Sequence, residues 1–97
     1  MRIEILDQAE NDLVAGFQFY EKQETGLGAY FLESLYSDIE SLKLYARIHR
    51  QAYRDFYRML SKRFPFAIYY KTASNIAYVH AVVDCRRSPA WIRQHLG

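Results

Sequence analysis

The sequence is short of the residues that staple, break or anchor a chain. One cysteine, Cys85, stands among 97 residues. An internal disulfide is therefore excluded, and a reducing compartment, the cytoplasm, is the expected setting. Two prolines and four glycines leave no linker, and no repeat or low-complexity tract is visible. The longest mostly apolar stretch, Ile76 to Val83, contains His80 and falls far short of the ~20 residues that cross a bilayer. The opening, Met1-Arg2-Ile3-Glu4-Ile5-Leu6-Asp7, lacks the apolar core of a signal peptide, so no membrane partner is expected. One cysteine and three scattered histidines, His49, His80 and His95, do not make a metal site, and there is no glycine-rich phosphate loop. Neither metal nor cofactor is expected.

Acids are scarce in one half. Residues 1–46 hold Arg2, Lys22 and Lys43 against nine acids, a net of −6; residues 47–97 hold ten Lys or Arg against Asp55 and Asp84, a net of +8, and together these give the formal +2. That division predicts a dipolar molecule with one electropositive face; a merely solvated face with snorkelling cations is the plainer alternative. Rings are abundant: nine Tyr and six Phe exceed what a core of this size holds, so some belong at a surface that meets a partner.

The chain reads as one domain, residues 1–97. Arg2 to Leu6 alternates as a first strand. Asp7-Gln8-Ala9-Glu10 matches a capping box. Ala9, Leu13, Phe17 and Tyr20 then form a helical stripe that stops before Gly26. A second helix follows, with Phe31, Leu35, Ile39 and Leu42 on one face, widened by Leu32 and Tyr36, and with the acids Glu33, Asp38 and Glu40 largely off it. Three segments rich in aromatic and β-branched residues come next: Tyr53 to Lys62, Phe66 to Thr72 and Ile76 to Cys85. The tail from Arg86 reads as irregular or as a short helical turn. The expected architecture is α+β, β-α-α-β-β-β, a helical hairpin covering one face of a four-stranded, mostly antiparallel sheet.

Alternation then sorts the side chains. Arg54, Phe56, Arg58, Leu60 and Lys62 share one face, and desolvating such cations against helices is costly, so that face should look away from the hairpin. Phe66, Ile68 and Tyr70 become core candidates, leaving Ala67, Tyr69 and Lys71 opposite. Arg63 falls in the following turn, and Arg86 and Arg87 end the last strand. Trp91 reads as a lid on the edge of the core or as a stacking platform on the basic face. Such a patch suits phosphates or an acidic peptide equally. His80 reads as a packed histidine, and Cys85 as an unactivated thiol with no base beside it.

The segments Arg63-Phe64-Pro65-Phe66-Ala67-Ile68-Tyr69-Tyr70 and Val79-His80-Ala81-Val82-Val83-Asp84-Cys85-Arg86-Arg87-Ser88-Pro89 resemble the signature of the RelE/ParE toxin superfamily, in particular its ParE-like plasmid stabilisation branch. The Phe19-Tyr20-Glu21 end of the first helix and the Gly26-Leu27-Gly28 opening of the second agree. The resemblance implies the same fold and the toxin of a type II toxin–antitoxin pair, neutralised by a cognate antitoxin and meeting operator DNA only through it. In the ParE-like branch the target is DNA gyrase, with no side-chain catalysis. The implied contact residues for target or antitoxin are Arg54, Arg58, Lys62, Arg63, Tyr69, Arg86, Arg87 and Trp91. The alternative is a RelE-like mRNA endonuclease at the ribosome, using Arg58, Lys62, Arg63 and Arg86. Aligned that way, the basic positions of that branch fall on Arg58, Leu60, Ala67 and Cys85 or Arg86, and the tail has no tyrosine, which favours the ParE-like reading. A non-toxic binding module that keeps only the fold is the third possibility.

Overall fold

The computed structural model describes all residues, 1–97. The chain runs β1 (Arg2–Ile5), α1 (Asp7–Gln23), α2 (Leu27–Glu40), a short α3 (Leu42–Tyr45), a 3₁₀ turn (Ala46–Ile48), β2 (Gln51–Tyr53), β3 (Phe56–Leu60), β4 (Phe66–Ala73), β5 (Ile76–Asp84) and α4 (Pro89–Leu96). The sheet has five strands in the order β1-β5-β4-β3-β2. β1 pairs parallel with the first half of β5, and every other pairing is antiparallel. The α+β class and the helical hairpin are those expected. The fifth strand arises because the chain reverses at Arg54-Asp55, at the start of the segment expected as one strand, Tyr53 to Lys62, so that Gln51–Tyr53 pairs back on Phe56 and Tyr57. Arg54 takes a left-handed conformation at φ 51°, and Tyr53 pairs with Phe56 across a two-residue turn. Such backbone is what a tight hairpin demands.

The α-hairpin is built from reciprocal close contacts. A Cβ on Gly16 would stand 2.5 Å from the Phe31 ring, and one on Gly28 would stand 2.7 Å from the ring of Phe17. Glycine at each position lets α1 and α2 approach to ring-contact distance. Gly26, at φ 91°, begins the second helix. The carboxylate of Glu21 accepts from the backbone N–H groups of Gly26 at 3.1 Å and Gly28 at 3.0 Å, filling donors that a helix start leaves open. The Glu21 and Gly-Leu-Gly motifs are thus one structural unit. The expected capping box is absent. Leu6 occupies the cap position of α1 without a side-chain bond, so Asp7 already lies inside the helix and serves only as an acid in its first turn.

Ala9, Leu13, Tyr20, Phe31, Leu35, Ile39 and Leu42 meet Met59, Phe66, Ile68, Tyr70, Ala77, Val79 and Val82 in the main core, the arrangement the helical stripes predicted. Tyr36 departs from its stripe and is exposed. Asp38 departs the other way: it is 6% exposed. Its carboxylate accepts from Ser61 Oγ at 2.7 Å and from the Lys62 N–H at 3.3 Å, so the burial is compensated by donors from the β3–β4 loop. In β5 the register slips beside His80, since Tyr70 faces Val79 while Tyr69 faces Ala81. This bulge sends Ala81 and Val83 to the opposite face from Ala77 and Val79.

The tail corrects the expectation of irregular chain or a short turn. Ser88 Oγ accepts from the Trp91 N–H at 3.1 Å, and Pro89 occupies the first helical position, a start for which both residues are suited. The resulting α4 covers the face away from the hairpin. Phe56, Ala67, Tyr69, Ala81 and Val83 form a second buried cluster beneath Trp91, Ile92 and Leu96. The sheet therefore has two covered faces rather than one.

Candidate partner-binding groove

Between the start of α4 and the β2–β3 hairpin lies a groove of about 370 Å³, lined among others by Tyr53, Arg58, Tyr69, Cys85, Arg87 and Arg93. Its shape follows from the strands below. Arg58 is opposite Tyr69 across β3 and β4, and Tyr69 is opposite Ala81 on β5, which leads on to Cys85 and Arg87. Arg93 arrives from α4. Arg58, Arg87 and Arg93 are exposed, none has an acidic partner, and no carboxylate lines the groove. Three unneutralised guanidiniums around one recess make a site for carboxylates or phosphates.

The groove carries no evident base. Burial pushes the Cys85 thiol up, and the nearby Arg58 only partly offsets this, so the sulfur is held as the thiol. None of the three histidines lines it. His80 is half-buried, edge-on to Phe56 at 5.1 Å, and held low by burial and by Lys71. No cluster of three His, Cys, Asp or Glu side chains is placed to hold a metal ion.

Among the residues picked out from sequence, Arg58, Tyr69 and Arg87 come together here. Tyr69 is 4% exposed, so its ring is a floor beneath α4 rather than a displayed stacking surface; covering by a helix that the alternation pattern did not reveal is the cause. Arg54 sits in the β2–β3 turn, with its guanidinium 5.1 Å from the Tyr53 ring and donating to the Gly97 carbonyl at 3.3 Å. Lys62 and Arg63 are exposed in the β3–β4 loop, outside the groove lining. Arg86 and Arg87 lie past the end of β5 rather than on it. Arg86 is engaged internally: its Nη2 and Nε donate to Asp84 at 2.7 and 2.9 Å. Those bonds hold the Asp84 carboxyl below its ordinary value.

Trp91 behaves as a lid on the second cluster. The Arg87 guanidinium lies 4.4 Å from its ring centroid on one side, and His95 stacks at 4.6 Å. Arg93 was missed from sequence. The Ser88-Pro89 pair signals a helix start, and a helix begun there is what brings Arg93 to the groove. The far end of α4 is pinned to α1. His95 Nε2 meets the Asp12 carboxylate at 2.9 Å, Gln8 donates to the His95 carbonyl at 2.8 Å, and Asp12 also accepts from the Val82 N–H at 2.9 Å. Burial raises the Asp12 carboxyl more than these partners lower it.

No helix is long and apolar enough to cross a membrane. No protein-family model matches the chain, and no curated protein matches it. Among solved structures, a chain of the chromosomal ParDE TA system from P. aeruginosa superposes with a TM-score of 0.77, covering 87% of this chain and 95% of that one at 15% sequence identity. Identity that low carries the backbone and not the side chains of a site. This chain therefore has the α+β fold found in a ParDE toxin–antitoxin system, the fold that its sequence signature implied.

Proposed function

We propose that the chain is the ParE-like toxin of a type II toxin–antitoxin pair, working in the cytoplasm. A cognate antitoxin neutralises it by laying an acidic segment along the Arg58, Arg87 and Arg93 groove, and its cellular target is a replication protein such as DNA gyrase. The observation that carries this reading is a carboxylate-free recess ringed by three unpaired arginines on a ParDE-like fold. Action by binding is favoured over RNA cleavage because activating a 2′-hydroxyl calls for a positioned base. The recess offers no carboxylate or histidine, only the buried-floor Tyr69, Tyr53 with its ring stacked on Phe56 beside the Arg54 guanidinium, and a thiol held protonated.

The test is expression of the chain alone and together with the short reading frame beside its gene. Growth arrest with filamentation, loss of gyrase supercoiling by the purified protein, and relief of both by the neighbouring product are expected. Arg58→Glu and Arg93→Glu should each weaken that product's binding about tenfold, an effect that shrinks as salt screens the pair. Codon-positioned mRNA cuts with supercoiling untouched would replace the gyrase reading with the endonuclease one. Absence of any growth phenotype would leave a binding module.

A further inference from the structure

Half of β5 has no neighbouring strand on its outer side. β1 pairs with β5 only as far as Val79, and the end of that edge, Val82 to Asp84, lines a cleft of about 340 Å³ between α1 and the start of α4. Asp12, Ala15, Phe19, Val82, Asp84 and Trp91 are among its walls. We propose that this cleft is a binding site for a nucleobase, stacked on the Phe19 ring and bonded through its Watson–Crick edge to the main chain of Val82 and Asp84. The proposal does not depend on the chain being a toxin.

The main-chain half of the site follows from strand geometry. The N–H and C=O of one strand residue point to the same edge, and those of the next residue point to the opposite edge. The Val82 N–H leaves the sheet to meet the Asp12 carboxylate at 2.9 Å, so the Val82 carbonyl points to that open edge as well. The Cys85 N–H points back toward β4, donating to the Pro65 carbonyl at 2.8 Å, so the Asp84 N–H returns to the open edge. The Asp84 carbonyl on that edge is already met by the Arg87 N–H at 3.1 Å. One acceptor and one donor are left in succession, the Val82 carbonyl and the Asp84 N–H, past the end of the β1 pairing. Val82 is 3% exposed, so its carbonyl lies at the floor of the cleft, where an unmet polar group is costly. A nucleobase carries a donor beside an acceptor on its Watson–Crick edge, the complement of this pair.

The stacking half comes from α1. Asp12, Ala15 and Phe19 fall on one helical stripe along the cleft, and the small Ala15 leaves its mouth open. Phe19 is 50% exposed and stands edge-on to Tyr20 at 5.1 Å, so its ring is held in place without being covered. A half-wet ring beside unmet main-chain groups fits a flat partner, apolar on its faces and polar on its rim. The volume lies at the lower end of the range for small-ligand sites, about 300–1,000 Å³, which suits a single base. The charged walls are already committed. Asp12 is held by Val82 and His95, and Asp84 by Arg86, so a neutral ligand is favoured over a cation. Arg87 stands on the ridge shared with the arginine groove, over the Trp91 ring, and takes no part in the proposed bonds.

The proposal is tested on the full chain, isotope-labelled at nitrogen, by amide chemical-shift titration with four probes: adenosine, 6-dimethylaminopurine riboside, ribose and a short single-stranded oligoadenylate. Adenosine should move the Asp84 amide. The dimethylated riboside, which has lost the donor for the Val82 carbonyl, should bind about tenfold more weakly. Ribose should leave the Asp84 amide where it is. Phe19→Leu should weaken adenosine about fivefold to tenfold through lost stacking, and Ala15→Leu should close the mouth and abolish the shift. Tyr30→Leu removes an exposed ring of α2 outside the cleft and should change nothing. Ala15, Phe19 and Tyr30 are exposed, so these variants keep the fold, which their thermal midpoints check. Oligoadenylate that moves the same amide more tightly than adenosine, with the same loss in Ala15→Leu, supports the site and makes a base of a single strand its occupant. Affinity no greater than that of adenosine supports it with the free nucleoside as occupant. The proposal is overturned if neither adenosine nor oligoadenylate moves the Asp84 amide at millimolar concentration. It is also overturned if ribose or the dimethylated riboside acts as well as adenosine, or if Ala15→Leu binds as the parent chain does.

Discussion

The Asp38 carboxylate, buried on α2, accepts a 2.7 Å hydrogen bond from the Ser61 hydroxyl in the β3–β4 loop. This bond and the 3.3 Å bond from the Lys62 N–H tie the helical layer to the loop that carries Lys62 and Arg63. Asp38→Ala strands both donors and should cost about 1–3 kcal/mol, whereas Ser61→Ala should cost about 0.5–1.5 kcal/mol. Urea unfolding of the two single variants and the double variant should show coupling, because the residues touch. Strict additivity would contradict a direct bond.

The α1–α2 contact should be intolerant of one added methyl. Gly16→Ala places a carbon 2.5 Å from the Phe31 ring, and Phe31 is fully buried with nowhere to retreat. A loss of about 1–3 kcal/mol is expected, against the helix-propensity gain of up to ~1 kcal/mol that the same change gives where space is open. Thermal unfolding decides the sign; a rise in midpoint would show that the two helices are not packed this closely.

Helix α4 depends on the Trp91 side chain for its seat on the second cluster. Trp91→Ala should cost about 2–3 kcal/mol, less than a fully buried tryptophan because the ring is only partly covered. It should also open the face beneath. Hydrogen exchange should quicken at Tyr69, Ala81 and Val83 and stay slow at Leu13 and Leu35 in the main core. Equal quickening everywhere would mean that α4 is not a separate cover.

Stability should decline on mild acidification. Burial lowers both His49 and His80. Over the window below about pH 6.5 the unfolded chain therefore binds more protons than the folded one, and stability rises with pH. The urea midpoint should be lower at about pH 5.5 than at about pH 7.5. A double variant, His49→Gln with His80→Gln, should flatten the profile. Asp84 is held low by Arg86; its contribution is complete above about pH 4 and is lost only as pH falls further. Asp12, raised by burial, works with the opposite sign just above that point. A flat profile in the unsubstituted protein between about pH 5.5 and 7.5 would contradict the histidine burial.

The helical hairpin and the identity of the sheet's inner face were legible in one dimension. Phe31, Leu35, Ile39 and Leu42 recur at helical spacing, Phe66, Ile68 and Tyr70 at strand spacing, and both periods follow from backbone geometry within a segment. The break between the strands ending at Thr72 and beginning at Ile76 was legible too, and the structure fills it with a turn in which Ser74 and Asn75 take left-handed backbone. Charge partition named the half of the chain that would carry free cations, since composition survives folding.

What the tertiary structure alone decided were relations between segments that no local period encodes. Asp38 is buried because a loop 23 residues later supplies its donor; the His80 bulge reverses which β5 side chains face the helices; and Arg86 is occupied by Asp84 while Arg87 is left free. Above all, α4 folds back over the face that alternation assigned to solvent, burying Tyr69 and delivering Arg93 to Arg58 and Arg87. Sequence periodicity states which side of an element is apolar. Which neighbour satisfies that side is settled only when the long-range contacts form together, each offsetting the desolvation and entropy costs of the others.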